Sequence, residues 1–308
     1  MADANTAQEA TPSTLRIPMG TLSVLCAFVL TMQQGYGPMD WKQVDRVLGR
    51  TGTLQSDVYR IGFPRSDLQV RVGSVSVKPA LALGSWVALK QTGDSTAMLM
   101  GDLVLLEKEV SPVIDALQSG GIEQTALHNH LLHESPHVVY LHIMGRGSPG
   151  ALATTLHSAL ARTGTPASAA PPGPAAALGL DTVQISQILG AHGRVNGGVY
   201  QLSVPRDGAV MVDSVEVPPA MGVATAINFQ STGAGKAAIT GDFVLTANEV
   251  NPVLKALGSN RIEVTAVHSH MLTETPRLLF MHFWAEGDAL TLARGLRAAL
   301  DHVSIKRS

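Results

Sequence analysis

The stretch LHNHLLHESPHVVYLH, Leu127 to His142, packs five histidines and one glutamate into sixteen residues. A second stretch, VHSHMLTETPRLLFMH from Val267 to His282, has the same frame. His128 matches His268, His130 matches His270, Glu134 matches Glu274, Pro136 matches Pro276 and His142 matches His282, each pair 140 residues apart. His133 faces Thr273 and His137 faces Arg277, so these two read as extra ligands of the first copy or as surface residues, with the surface favoured. What both copies share is His-x-His-x-x-x-Glu-x-Pro followed by a closing histidine. Of the 11 histidines in the chain, eight lie in these two stretches, which a random scatter would not give.

The spacing predicts a pair of strands. Residues two apart on a strand point to one face, so His128 and His130 act together. If the strands fold back symmetrically around Pro136, His130 falls opposite His142, and three imidazoles converge above the sheet. That predicts one metal site in each repeat: His128, His130, Glu134 and His142 in the first, His268, His270, Glu274 and His282 in the second. One histidine among apolar strand residues is ordinarily a hydrogen-bonded core residue. Three with a carboxylate, kept at fixed spacing in both halves, favour a metal. The donors suit a divalent transition metal, Zn, Mn, Fe, Ni or Cu, without deciding between them. A filled shell would make the site structural, and an open position would make it catalytic. In the catalytic case the metal acts as a Lewis acid or lowers the pKa of a bound water. Glu134 and Glu274, if they are not ligands, are then the general bases.

Outward from the histidines the repeat continues. GDLVLLEKEVSPVIDAL begins at Gly101 and GDFVLTANEVNPVLKAL at Gly241. VYRIGFPR at Val58 answers VYQLSVPR at Val199, with one residue of slippage. The organisation read from this is an N-terminal region over 1–39, one repeat over 40–162, a Pro/Ala/Gly linker over 163–179 and a second repeat over 180–308. Within each repeat a short helix ends at Gly49 or Gly190, and alternating segments such as DLQVRVGSVSV have the period of strands. EVSPVIDALQSGG and EVNPVLKALGSN have helical spacing, and an Ala/Leu-rich helix closes each unit. The fold class is therefore α+β: two homologous domains, each a largely antiparallel sheet with flanking helices.

Paired positions outside the histidines carry further expectations. Asp102 and Asp242 each follow a glycine in a strand-like run, and read equally as acceptors behind the histidines or as marks of a strand kink. Glu249 stands three residues after Thr246, a capping box, and Glu109 takes the same place after Leu106. Arg65 and Arg206 close the paired PR segments and are weak candidates for clamping a substrate carboxylate or phosphate. Trp86 has Ala226 opposite it in the second half.

Composition excludes some classes. Charged residues are 15% of the chain and the net charge is −2, so no nucleic-acid footprint is present. The literal HNH at 128–130 is contiguous, unlike the dispersed nuclease motif of that name, and the second copy reads HSH. The His-x-His-x-x-x-Glu spacing is similar to the first cupin motif, but the last histidine returns within one hairpin and each repeat contains helices, so a jelly roll is not expected. Residues 19–32, MGTLSVLCAFVLTM, are too short for a comfortable membrane span and have the length of a signal-peptide core. Cys26, the sole cysteine, lies inside this run, after a bulky Leu25. If the run is removed, the mature chain has no stable membrane span, and a periplasmic or secreted location follows. The alternative is a buried first helix in a cytoplasmic protein.

PALALGSWVAL, MGDLVLLEKEVSPVIDAL, TALHNHLL and FMHFWAEGD resemble the LppY/LpqO family, a bacterial domain of unknown function, in tandem over nearly the whole chain after residue 40. The resemblance implies an exported bacterial protein and no particular activity. The function expected is metal binding in each repeat, with metal-dependent catalysis on a small polar molecule as its extension. The alternative is a non-catalytic metal- or ligand-binding envelope protein. The oligomeric state is not readable from the sequence.

Overall fold

The computed structural model describes residues 36–168 and 178–306. The signal-like run with Cys26 and the middle of the linker lie outside the described residues. The first repeat runs α1 (Lys42–Leu48), β1 (Thr53–Gln55), β2 (Val58–Pro64), β3 (Arg71–Val72), β4 (Val75–Ser76), α2 (Pro79–Ala82), β5 (Gly84–Gln91), β6 (Ala97–Leu106), α3 (Val110–Ser119), β7 (Glu123–His128), β8 (Glu134–Ser135), β9 (Val138–Gly147) and α4 (Pro149–Leu160). The second runs α5 (Thr182–Leu189), β10 (Gly193–Asn196), β11 (Val199–Pro205), β12 (Met211–Val212), β13 (Val215–Glu216), β14 (Ala224–Gly233), β15 (Lys236–Leu245), α6 (Ala247–Ser259), β16 (Glu263–His268), β17 (Leu279–Asp288) and α7 (Ala289–Leu300). These are two tandem α+β domains. Their main sheets have the orders β1-β2-β5-β6-β9-β7 and β10-β11-β14-β15-β17-β16, with every neighbouring pair antiparallel.

Helix ends follow residue chemistry. Gly49 and Gly190 close α1 and α5 at φ 65° and 68°, a left-handed conformation that glycine adopts without a Cβ penalty. Glu249 accepts from the Thr246 backbone N–H at 2.6 Å, and Glu109 from that of Leu106 at 2.9 Å. The second contact satisfies a helix-start donor without any hydroxyl at the cap.

The central strands β6, AMLMGDLVLL, and β15, KAAITGDFVL, are apolar on both sides, and both faces are buried along most of their length. One face of each sheet packs on its own helices. In the first repeat Val44, Leu48, Val113, Leu117, Leu152 and Leu156 meet Ile61, Phe63, Leu89 and Leu99. The other face is closed by the opposite repeat. Val210, Val212, Val217 and Met221 of the second repeat pack with Val58, Ala88, Met98 and Met100 of the first. Reciprocally, Val70, Val75, Val77 and Leu81 of the first pack with Val199, Ala238 and Trp284 of the second.

Polar groups pin this exchange. Arg60 Nη1 donates to Ala220 O at 2.6 Å, and its counterpart Gln201 Nε2 donates to Ala80 O at 2.8 Å. Gln230 accepts from the Lys78 N–H and donates to Ser76 O, both at 2.8 Å. The arms thus interlock, and from Gly37 onward the chain is one compact unit. Among the described residues no helix is long and apolar enough to cross a membrane.

Candidate metal centre

The histidine strands β7 and β16 are edge strands of their sheets, and they meet. Thr125 Oγ1 donates to His270 O at 2.6 Å, and its counterpart Thr265 Oγ1 donates to His130 O at 2.6 Å. Asn129 Nδ2 adds a bond to Thr265 O at 2.9 Å. Two hydroxyls exchanged in this way hold the edges in one register and bring both histidine sets to the same place.

The result is one cluster rather than two separate sites. The rings of His128 and His268 stack with centroids 3.6 Å apart, His130 and His282 lie 3.8 Å apart, and His142 and His270 lie 3.7 Å apart. Each of these contacts crosses between repeats, and the last two are counterparts. Beneath the rings, Asp102 sits directly across from His142 in the β6–β9 register, and Asp242 across from His282 in β15–β17. Asp102 Oδ2 is 3.4 Å from His130 Nε2, and Asp242 Oδ2 is 3.1 Å from His270 Nε2. Gly101 and Gly241, which precede the aspartates, are where strands come close. A Cβ on Gly241 would lie 1.9 Å from Ala226 O.

The hairpin register differs from the symmetric expectation. His142 lies opposite Ala126, His128 lies opposite Tyr140, and His130 falls beyond the end of β7. The cause is β8. Glu134 and Ser135 leave the hairpin to pair with Val72 and Arg71 of β3, which opens a wide loop in place of a tight turn. Glu134 consequently faces this loop: its Oε1 accepts from His137 Nδ1 at 2.6 Å and from the Val138 N–H at 3.4 Å. Glu274 accepts from the Leu278 N–H at 3.0 Å and pairs with Arg277 at 3.2 Å. Neither glutamate belongs to the groups of ligand atoms that converge within 4.8 Å of one another among the described residues. Those groups are Asp242 with His268, His270 and His282; His128 with His142 and His268; and His128 with His130 and His282. In the second repeat Asp242 stands in such a group where Glu274 was expected.

The paired arginines also lie elsewhere. Arg65 is fully buried, and its guanidinium binds Asp67, Glu109 and Val104 O. Arg206 binds Glu249 and Val244 O. Their donors are spent inside the fold, so the clamp expectation is replaced by a structural role. His133 is solvent-exposed, and His137 serves Glu134. Trp86 carries the Arg60 guanidinium 3.8 Å from its ring.

The electrostatics of the cluster are those of neutral imidazoles. Burial lowers the pKa of all six, and crowding by neighbouring imidazoles lowers five of them further, whereas His268 is drawn back up by Asp242, the Ser269 backbone and Asp102. His130 is pushed down to about 3, against the opposing pull of Asp242. Burial raises Asp102. Ring orientation is fixed in part by the backbone: His282 Nδ1 donates to Gly241 O at 2.8 Å, and His268 Nδ1 to Ser269 O at 3.2 Å. Each of these bonds leaves Nε2 unprotonated and free to ligate.

Buried side-chain nitrogens and oxygens without a hydrogen-bond partner test whether a cation fits. Among the described residues there are ten, and nine belong to these six histidines and two aspartates; the tenth is Arg50 Nε. Each such orphan costs about 1–3 kcal/mol. Neutral imidazole nitrogens and carboxylate oxygens turned toward each other without pairing form a donor set that a divalent cation satisfies. The close His–Asp contacts fall outside hydrogen-bond geometry, as expected of groups aimed at a common third point.

The chain belongs to the family described as Domain of Unknown Function (DUF1259), which it matches twice, over residues 42–162 and 183–302. No curated protein matches it. Among solved structures it is similar to a trimeric bacterial microcompartment shell protein PduB, at 12% identity over 84% of this chain and 96% of that one, with a TM-score of 0.20. It is likewise similar to EtuB from Clostridium kluyveri, at 10% identity over 82% and 90% of the two chains, with a TM-score of 0.19.

Proposed function

We propose that this protein binds divalent transition metal in a single centre built jointly by its two repeats, from His128, His130, His142, His268, His270, His282, Asp102 and Asp242. The observation that carries the reading is the concentration of nine unpartnered buried donor atoms on these eight side chains. Neutral imidazoles with carboxylates suit Zn, Mn, Fe, Ni or Cu. A bound cation would supply Lewis acidity toward a substrate oxygen. The chain's own part is to hold the donors neutral, orient them through backbone carbonyls and keep bulk water from most of the cluster. Metal-dependent chemistry on a small polar molecule is the extension of this reading. Membership of the LppY/LpqO family, export, and a periplasmic or secreted location belong to the same proposal. A non-catalytic envelope protein is the second reading, favoured by the set at Asp242, whose four ligand atoms lie within 4.8 Å of one another, the number that a closed structural site takes.

The test is metal content by mass spectrometry after purification without chelator. Wild-type chain is expected to carry stoichiometric metal. The isosteric double variant Asp102→Asn/Asp242→Asn is expected to lose most of it, and Glu134→Gln/Glu274→Gln to keep it. Wild type free of metal after refilling with Zn, Mn, Fe, Ni and Cu would contradict the proposal.

A further inference from the structure

A buried cation site needs an entry path. The centre has two flanks related by the repeat, and a few substitutions make them unequal. On the first flank Trp86 stands across from Asp102 in the β5–β6 register. The Arg60 guanidinium lies 3.8 Å over the indole, and Arg60 Nη1 is tied to Ala220 O at 2.6 Å. The far end of the indole rests on Gly222 of the second repeat. A Cβ there would lie 2.8 Å from Trp86 Cη2 and 4.0 Å from His270 Nδ1. Trp86 therefore reaches from Asp102 to the place beside His270, and only a residue without a side chain leaves room for it.

On the second flank each of these parts is replaced. Ala226, 140 residues after Trp86, stands across from Asp242. Ala82 takes the place of Gly222, and Gln201 that of Arg60. Asn228 is half-buried where its counterpart Ala88 is fully buried. His130 belongs to this flank: its ring lies 3.8 Å from that of His282, and it stacks on Tyr140, whose hydroxyl donates to Ala82 O at 3.0 Å. Exposure follows the substitutions. The side chains of Asp102 and His270, on the Trp86 flank, are each 6% exposed, whereas Asp242 and His130, on the Ala226 flank, are 14% and 17% exposed. His128 and His268 stack on each other and are half-buried alike, so they do not distinguish the flanks.

We infer that the metal ion enters and leaves the shared centre through the flank of Ala82, Ala226 and Asn228, past the Asp242 carboxylate, and that Trp86, held by Arg60 and received by Gly222, keeps the counterpart flank shut. The inference rests on the metal reading above. Two physical effects act in the same direction. The indole fills the way in beside His270, where the second repeat offers only a methyl group beside His130. The Arg60 guanidinium repels a cation on the shut flank, and Gln201 on the other carries no charge, so the exposed Asp242 carboxylate attracts one unopposed by it.

Transplanting the plug tests the route. Ala82→Gly/Ala226→Trp rebuilds on the second flank the pair found on the first. Stopped-flow mixing of the metal-free full chain with cobalt(II), and a chelator chase of the loaded chain, give the entry and exit rates. The double variant is expected to slow both by about ten-fold or more while the equilibrium affinity stays that of wild type, which marks a gate and not a lost ligand. Trp86→Ala is expected to speed both. Unchanged rates in the double variant would overturn the route, and unchanged rates in Trp86→Ala would overturn the role given to Trp86. Diethyl pyrocarbonate labelling of the metal-free wild type, read by peptide mass spectrometry, compares the flanks without metal or substitution. His130 is expected to be modified several-fold faster than His270, with the exposed His133 and His192 as references. Equal or reversed rates would overturn the inequality of the flanks. Wild type that takes up no cobalt would remove the metal reading itself, and the route with it, while the labelling still decides between the flanks.

Discussion

Acidifying the metal-free chain from about pH 7.5 to about pH 5.5 is expected to remove most of its folding stability. The six clustered histidines have pKa values lowered by burial, so they stay neutral in the fold. In the unfolded chain each titrates near 6.5. Above that value both states are neutral and the histidines contribute no pH dependence. Below it the unfolded chain takes up protons that the fold refuses, so stability falls with pH until the folded value is reached, about 3 for His130. The slope approaches about 1.4 kcal/mol per pH unit for each such histidine. Only the unit below 6.5 counts in this window, so the six together remove about 8 kcal/mol of a normal domain stability of about 5–15 kcal/mol. Bound metal requires the same neutral rings, so it should protect the fold at neutral pH and be released in the same window. Urea midpoints of the chelated chain at the two pH values check this. A flat midpoint would contradict the burial of six neutral imidazoles.

Replacing Arg65 with Met is expected to destabilise the protein by about 3–5 kcal/mol. Arg65 has no exposed surface, and its Nη1 donates to Glu109 at 2.7 Å and to Val104 O at 2.7 Å. Asp67 takes the Nε and Nη2 donors at 2.9 Å. Burial alone would lower the Arg65 pKa, but the bonds to Asp67 and Glu109 outweigh it and raise it. Glu109 in turn accepts from the Leu106 and Gly164 N–H groups, which ties the start of α3 to the segment after α4. Removing the guanidinium strands a buried carboxylate. In the second repeat Arg206 and Glu249 repeat the plan, with Ser304 N–H in place of Gly164 N–H. Burial there works against the Glu249 carboxylate, but Arg206 and backbone donors hold its pKa down at about 2. Arg206 has no counterpart of Asp67, so Arg206→Met should cost less. Chemical denaturation of both variants gives the comparison. A loss below about 1 kcal/mol for Arg65→Met would contradict the account, since that is the value of an exposed pair.

Much of this molecule is legible along the chain because its determinants are local. Gly49 and Gly190 end helices where a left-handed residue is needed, and Glu249 reaches back to Thr246 within one turn. The alternating and continuous apolar runs become strands buried on one face or two. The centre is less legible because its geometry is tertiary. A position kept in both repeats does not reveal whether it acts with its own repeat or with the other. His128 meets His268, and His142 meets His270, only because two edge strands cross. Glu134 has the right spacing for a ligand, but β8 pairs it with β3 and turns it away. Asp102 and Asp242 carried a usable signal, a glycine-aspartate pair kept at the same offset as the histidines. What that signal lacks is the strand register that sets each aspartate across from a histidine.

Anomalous diffraction from metal-loaded crystals, collected at the metal edge, tests the shared centre most directly. The account predicts anomalous density confined to one envelope of imidazoles, with β7 and β9 on one side, β16 and β17 on the other, and aspartate among the ligands. Two well-separated peaks, each held within one repeat by its own Glu134 or Glu274, would contradict it.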